Sequence, residues 1–321
     1  NLKTWLLFIT IVVLAVFPLA GGKFGTHLLT TYLIFSLTAL SLDLIWGYTG
    51  ILSIGHFAFF GIGAYSTALI LTHVAAGLLS LVLGALTGIV LSFLFGFIVA
   101  FVFFSLKLGE LFVLVTISLA IIFEKIAVNQ TNTLGGINGI TLPYWVVPEN
   151  KPLFYYLVLA IVAVSYLLLR QVVRSPFGKV LLAIKDSETR AEYLGYEPRM
   201  FKTVVFALSA AVAALGGVLY AIYTGFVSPP LLGFTMSFDA VIWTALGGLG
   251  TLLGPIVGTF AVGFAQFYIS GILLDYWILV IGLLFIVVVL FFPGGLARLG
   301  QVLLTRLRRP RRFGTAPQGF P

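Results

Sequence analysis

The sequence contains no cysteine, only three histidines and only two methionines. Without cysteine the chain can form neither a disulfide nor a thiolate metal site. His27, His56 and His73 are too few and too scattered to argue a metal centre of another kind. Charge is scarce as well. Asp, Glu, Lys and Arg make up 9% of the residues against 60% hydrophobic, where soluble domains carry roughly a quarter charged residues. A Gly-x-x-x-x-Gly-Lys-Ser/Thr phosphate loop is missing, so the chain is not itself expected to hydrolyse nucleotide, and no His-Glu-x-x-His occurs. No Ser/His/Asp set or close carboxylate pair can be assembled, so an enzyme is not expected and no catalytic residue is assigned.

What the sequence has instead is long apolar runs. A helix needs about 20 mostly apolar residues to cross the hydrocarbon layer. Ten runs are candidates, near residues 4–20, 27–46, 53–73, 78–106, 111–128, 152–169, 201–223, 238–246, 250–270 and 276–292. The first lacks a charged n-region and a small-residue cleavage site, so it reads as a retained helix. The expected fold is an all-α polytopic membrane protein of about ten transmembrane helices. Residues 1–297 would form the transmembrane domain, and residues 298–321 a basic tail expected to be disordered. Gly84, Gly88, Ser92, Gly96 and Ala100 recur every four residues. Such a face lets a neighbouring backbone approach closely, either as ordinary packing or as a gliding contact. Gly250, Gly254 and Gly258 repeat the pattern.

Two glycine-rich breaks interrupt the runs, Gly47-Tyr48-Thr49-Gly50 and Gly247-Gly248-Leu249-Gly250, and they weakly echo each other. Transporters often contain repeated halves with broken helices beside their path. Ionisable groups within spans are costly and default to functional candidates. Asp43 and His56 flank the first break, where they either line a path or make a buried hydrogen bond that pins it. The candidate path residues are Asp43, Gly47, Tyr48, Gly50, His56, Gly247, Gly248 and Gly250. Asp239 begins the eighth run, whereas Glu124 and Lys125 lie where they can reach the membrane interface.

One polar island stands out, at about residues 170–200. It holds seven cations (Arg170, Arg174, Lys179, Lys185, Arg190, Arg199, Lys202) and four anions (Asp186, Glu188, Glu192, Glu197). With the six arginines of the tail it accounts for thirteen of the 18 basic residues and carries +9, and the remaining residues, at −1, bring the net charge to +8. Basicity concentrated beside the bilayer is a topology signal and does not suggest nucleic-acid binding. Cytoplasmic loops carry the Lys and Arg excess, so the island and both termini are expected in the cytosol. Pro176 suits a helix start and Gly195 a stop. Val180, Ile184, Ser187, Ala191 and Leu194 form one narrow stripe, and Asp186 can pair with Arg190 four residues on. The expectation is one short amphipathic helix that either docks a partner or lies on the lipid surface.

These stretches resemble the LivM-like permease subunits of branched-chain amino acid ATP-binding-cassette (ABC) importers. The likeness is carried by residues 47–56 with Phe59-Phe60-Gly61-Ile62-Gly63-Ala64-Tyr65, by Ser175-Pro176-Phe177-Gly178-Lys179 through Asp186 and Leu194-Gly195-Tyr196, and by Gly247-Gly248-Leu249-Gly250-Thr251 with Phe292-Pro293-Gly294-Gly295. It covers nearly the whole chain. The resemblance implies an inner-membrane importer with a second related permease, two cytoplasmic ATPases that bind the ATP and magnesium, and an external solute-binding protein; this chain would need no cofactor. It implies an ATPase-coupling segment comprising Ser175, Pro176, Phe177, Gly178, Lys179, Val180, Ile184, Asp186, Ala191, Leu194 and Gly195. The loops around residues 135–139 and 227–229 would meet the binding protein. Residues 42–48 and 194–198 also resemble the urea and short-amide permeases of the same superfamily. A stand-alone channel or secondary carrier is the rival class, and it would need no ATPase.

Overall fold

The computed structural model describes residues 22–272 apart from 75 and 107, together with residues 282, 283 and 286. The apolar runs at 4–20 and 276–292 and the tail at 298–321 lie outside the described residues. Among the described residues, eleven α-helices follow in order: α1 (Gly22–Thr49), α2 (His56–His73), α3 (Leu78–Ser105), α4 (Phe112–Asn129), α5 (Thr131–Leu134), α6 (Lys151–Arg174), α7 (Pro176–Asp186), α8 (Glu188–Tyr193), α9 (Pro198–Thr224), α10 (Phe234–Gly247) and α11 (Leu253–Ile272). Two short strands, β1 (Ile140–Thr141) and β2 (Phe226–Val227), pair antiparallel.

Six of these helices, α1, α3, α4, α6, α9 and α11, are long and apolar enough to cross a membrane. The expectation of about ten spans is therefore not reached among the described residues. The run at 53–73 became α2, which carries a histidine at each end and three Ser or Thr between them, and so is less apolar. The run at 238–246 became α10, whose 14 residues cover about 21 Å at 1.5 Å per residue. Helix α2 starts inside the bundle, at the fully buried His56. The chain reaches α2 through residues 50–55, and reaches α10 through a 3₁₀ turn at Pro229–Leu232. Irregular backbone at membrane depth is tolerated only where the protein satisfies it. Here Ile54 N–H donates to Thr116 Oγ1 at 3.1 Å, and Phe57 N–H at the start of α2 donates to Ser237 Oγ on α10 at 3.2 Å.

Helix α1 is the spine, with 83% of its apolar window buried against 22% for α3. Six of its seven Ser and Thr hydroxyls are satisfied within the helix, while the buried Thr38 Oγ1 has no hydrogen-bond partner among the described residues. Thr30, Ser41 and Thr49 each donate to a carbonyl about one turn earlier, at 2.7 Å, which hides polar groups where no water is available. Helix α3 lies outside and buries its small-residue stripe, as its spacing predicts. An added Cβ on Gly88 would lie 2.9 Å from the Gly63 carbonyl oxygen, and one on Gly96 would lie 2.8 Å from Ala210 Cβ. Ser92 Oγ donates to the Phe59 carbonyl at 3.1 Å. The opposite face exposes Leu83, Val90, Leu94 and Ile98. Lipid is as apolar as leucine, so close packing of this kind holds the bundle together.

The two ends of the bundle differ. At one, the island end, α7 and α8 form a hairpin beside the end of α1. At the other, the far end, Ile140 pairs with Val227 and Thr141 with Phe226, and Leu142 N–H donates to the Gly225 carbonyl at 2.8 Å. The glycine-rich loop after α5 and the loop after α9 are thus stitched into one platform, from which Ile137 and Tyr144 project.

Candidate functional site

The two glycine breaks, 200 residues apart in sequence, meet at the island end. The Asp43 carboxylate, fully buried in α1, accepts from Gly250 N–H at 2.6 Å and from Leu252 N–H at 2.9 Å. Tyr48 O–H donates to the Gly250 carbonyl at 2.9 Å. Two backbone donors on one carboxylate are what keeps a buried acid tolerable, since an unpaired one is strongly disfavoured. The approach is possible because residue 47 is glycine: a Cβ there would collide with Asp43 Oδ1 and sit 2.6 Å from Gly250 N. On the other side, Gly247 abuts the Gly254 carbonyl. The turn that Asp43 holds has Gly248, Gly250 and Leu252 at positive φ, and Leu252 (φ +58°) is the non-glycine residue with positive φ among the described residues. A branched side chain in that region is strained.

His56 lies at the first turn of α2 and is fully buried. Its Nε2 is 2.6 Å from Ser209 Oγ and its Nδ1 is 3.0 Å from Ser53 Oγ. Ser209 donates its own proton to the Ser41 carbonyl, so it can only accept from His56. Nε2 therefore carries the hydrogen and Nδ1 accepts from Ser53. Phe59 and Phe206 close edge-on around the ring. Asp43 and His56 are both buried and hydrogen-bonded, Asp43 to the second break and His56 at the start of α2. No metal-binding group of His, Asp or Glu occurs among the described residues.

The polar island folds as a helical hairpin and not as one helix. Ser175 Oγ donates to the Val172 carbonyl at 2.6 Å, Pro176 opens α7, Phe177 stacks on Phe201 with centroids 5.3 Å apart, and Gly178 packs on Val173. At Ser187 the backbone turns extended, and its side chain accepts from Arg190 N–H to cap α8. The break separates Asp186 from Arg190, so the expected pair does not form; among the described residues the ion pairs are Lys202–Glu188 and Arg199–Glu197. Gly195, at φ +86°, ends α8. Tyr196 N–H reaches the Ala191 carbonyl and Gly195 N–H the Glu192 carbonyl, the double closure that a left-handed glycine permits. The expected stripe is corrected too. Val180, Ile184 and Ala191 are buried together against Phe201 on α9, because the hairpin must cover its own apolar side. What faces outward is Lys179, Leu182, Asp186, Tyr193 and Leu194, the last two 86% and 74% exposed.

Lys185 was not singled out by the sequence, yet it joins the hairpin to the break. Its ammonium donates to the Gly47 carbonyl at 2.7 Å, and its Cγ lies against Gly50. The last carbonyls of a helix lack intrahelical partners and carry its negative pole. A cation there contributes about 0.3–1 kcal/mol at an exposed terminus, too little to hold a fold but enough to bias two arrangements. Its partner is 138 residues away, so no local pattern announces it. Ser209 and Ser237 were missed for the same reason. Between the hairpin and the turn from α3 to α4 lies a cleft of about 1010 Å³, lined by Gly50, Leu52, Glu188, Glu192, Arg199 and Lys202 among others.

Residues 24–289 match the family described as "Branched-chain amino acid transport system / permease component". Among similar proteins, the high-affinity branched-chain amino acid transport system permease protein LivM of Escherichia coli is 28% identical over 92% of this chain and 75% of its own length. A probable branched-chain amino acid transport permease protein LivM of Methanocaldococcus jannaschii is 29% identical over 50% of this chain and 46% of its own. An autoinducer 2 import system permease protein, LsrC of Photorhabdus laumondii, is 27% identical over 39% of this chain and 37% of its own. No solved structure matches the chain.

Proposed function

The chain belongs to the permease-component family of branched-chain amino acid transport systems, and from that premise we propose that it forms one half of the membrane channel of an ABC importer. The importer sits in the inner membrane of a bacterium or archaeon, with both termini of this chain in the cytosol. Its other parts are a second related permease, two cytoplasmic ATPases and an external solute-binding protein. The solutes are branched-chain or related hydrophobic amino acids, a choice supported by the relatives named for that transport. The chain supplies no chemistry of its own; ATP and magnesium are held by the ATPases.

The α7–α8 hairpin is the coupling segment, presenting Leu182, Tyr193 and Leu194 to a groove in the ATPase. Closure of the ATPases pushes paired hairpins and tilts the bundles, which alternates access to the path. The far-end platform, with Ile137 and Tyr144, receives the binding protein. One observation carries this reading: an exposed polar hairpin on a strongly apolar chain is bonded to the first glycine break, and that break holds the second. The test is uptake of labelled L-leucine by proteoliposomes holding this chain with the permease, ATPases and binding protein encoded beside it. Uptake is expected only with ATP, and isoleucine and valine should compete where urea does not. Uptake without ATP would favour a channel or carrier.

A further inference from the structure

We infer that Lys185 is the pin through which movement of the α7–α8 hairpin reaches the paired glycine breaks. The inference rests on the reading of that hairpin as the coupling segment. Three contacts in series carry it. Lys185 Nζ holds the Gly47 carbonyl at the end of α1. Gly47 packs on the backbone of Gly250, beside the Asp43 carboxylate. Asp43, one turn before Gly47, holds Gly250 N–H and Leu252 N–H in the turn between α10 and α11. The hairpin thus touches one break by a charged hydrogen bond, and that break grips the other through a carboxylate.

Other links between hairpin and bundle are of a different kind. Lys202 pairs with Glu188 and lies 5.5 Å from the Phe104 ring centroid, and Phe177 stacks on Phe201. Through Glu188 and Phe177 the hairpin is fastened to α9, which Lys202 joins in turn to α3, so the hairpin can ride with α9 as a rigid body. Among these links, the ammonium of Lys185 alone ends on the backbone of a break. A long flexible side chain on a carbonyl can be pulled or released without repacking a core, which suits a contact that must be made and broken in each cycle. Lys185 touches no solute and acts through Gly47, so it is a positioning residue.

The chain has no cysteine, which gives a direct test in the whole complex. With Lys185→Cys, and the probe L-leucine, the solute moved per ATP hydrolysed is expected to fall at least tenfold while the ATPases still co-purify. Aminoethylation of that thiol rebuilds an ammonium of nearly the original length, and coupling should return. Propylation, of similar size but neutral, should leave it lost, whereas a bulk-filling role would be rescued by both. Equal rescue by the two reagents overturns the inference. So does unchanged coupling in both Lys185→Cys and Lys185→Met. Loss of co-purification in Lys185→Cys that aminoethylation restores places Lys185 in the docking surface instead and also overturns it. Wild-type uptake without ATP defeats the underlying function, an outcome visible before any variant is made.

Discussion

At the scale of single residues, most of what matters here is a small group accepting a large one. Asp43 has two backbone donors to satisfy, and Asn in its place offers a single oxygen. One N–H would then face an amide NH₂. Asp43→Asn is expected to lose about 1–3 kcal/mol, the penalty for a buried group left without its partner, read as a lower melting temperature in detergent. Gly47→Ala adds one methyl at a position already filled by Asp43 and Gly250. Overpacking of that size costs about 1–3 kcal/mol, and slower solute uptake at equal membrane abundance is the expected readout. The glycines at 47, 50, 247 and 250 could be read from the sequence because their clustering is a compositional signal. Leu252 could not, since nothing about a leucine announces a positive φ; only the carboxylate 209 residues earlier explains it.

At the scale of elements, the apolar runs that fall on described residues gave the helices there to within a few residues, and the start at Pro176 and stop at Gly195 held. Two features escaped. The small and apolar stripe of the island was legible as a stripe, but a stripe does not say whether it meets a partner or its own chain. Phe201, on the next helix, decides that by covering Val180, Ile184 and Ala191. Likewise Ser187, a neutral residue in a helical pattern, became a cap because its side chain competes for the backbone. The two faces of the hairpin should therefore respond differently. Ile184→Asp buries a charge with no partner, and a loss of about 2–5 kcal/mol should show as proteolysis within the hairpin. Leu194→Asp, on the exposed side, should leave the hairpin resistant while weakening co-purification with the ATPases.

For the whole molecule, the topology is testable without any transport assay, because the chain is cysteine-free. Tyr193 and Tyr144 are each 86% exposed and lie at opposite ends of the bundle. In intact cells a membrane-impermeant maleimide should label Tyr144→Cys and spare Tyr193→Cys, and inside-out vesicles should give the reverse. A result the other way round would end the proposed orientation. Between those ends runs α10, anchored at both: its lead-in continues from β2, which is laced to β1, and its last turn runs into the loop clasped by Asp43. A strut fastened at two terminals carries traffic in both directions. In the importer proposed above, whatever factor ATP adds to the affinity of the receptor at one terminal, the loaded receptor must return to ATP at the other, because linked equilibria are reciprocal.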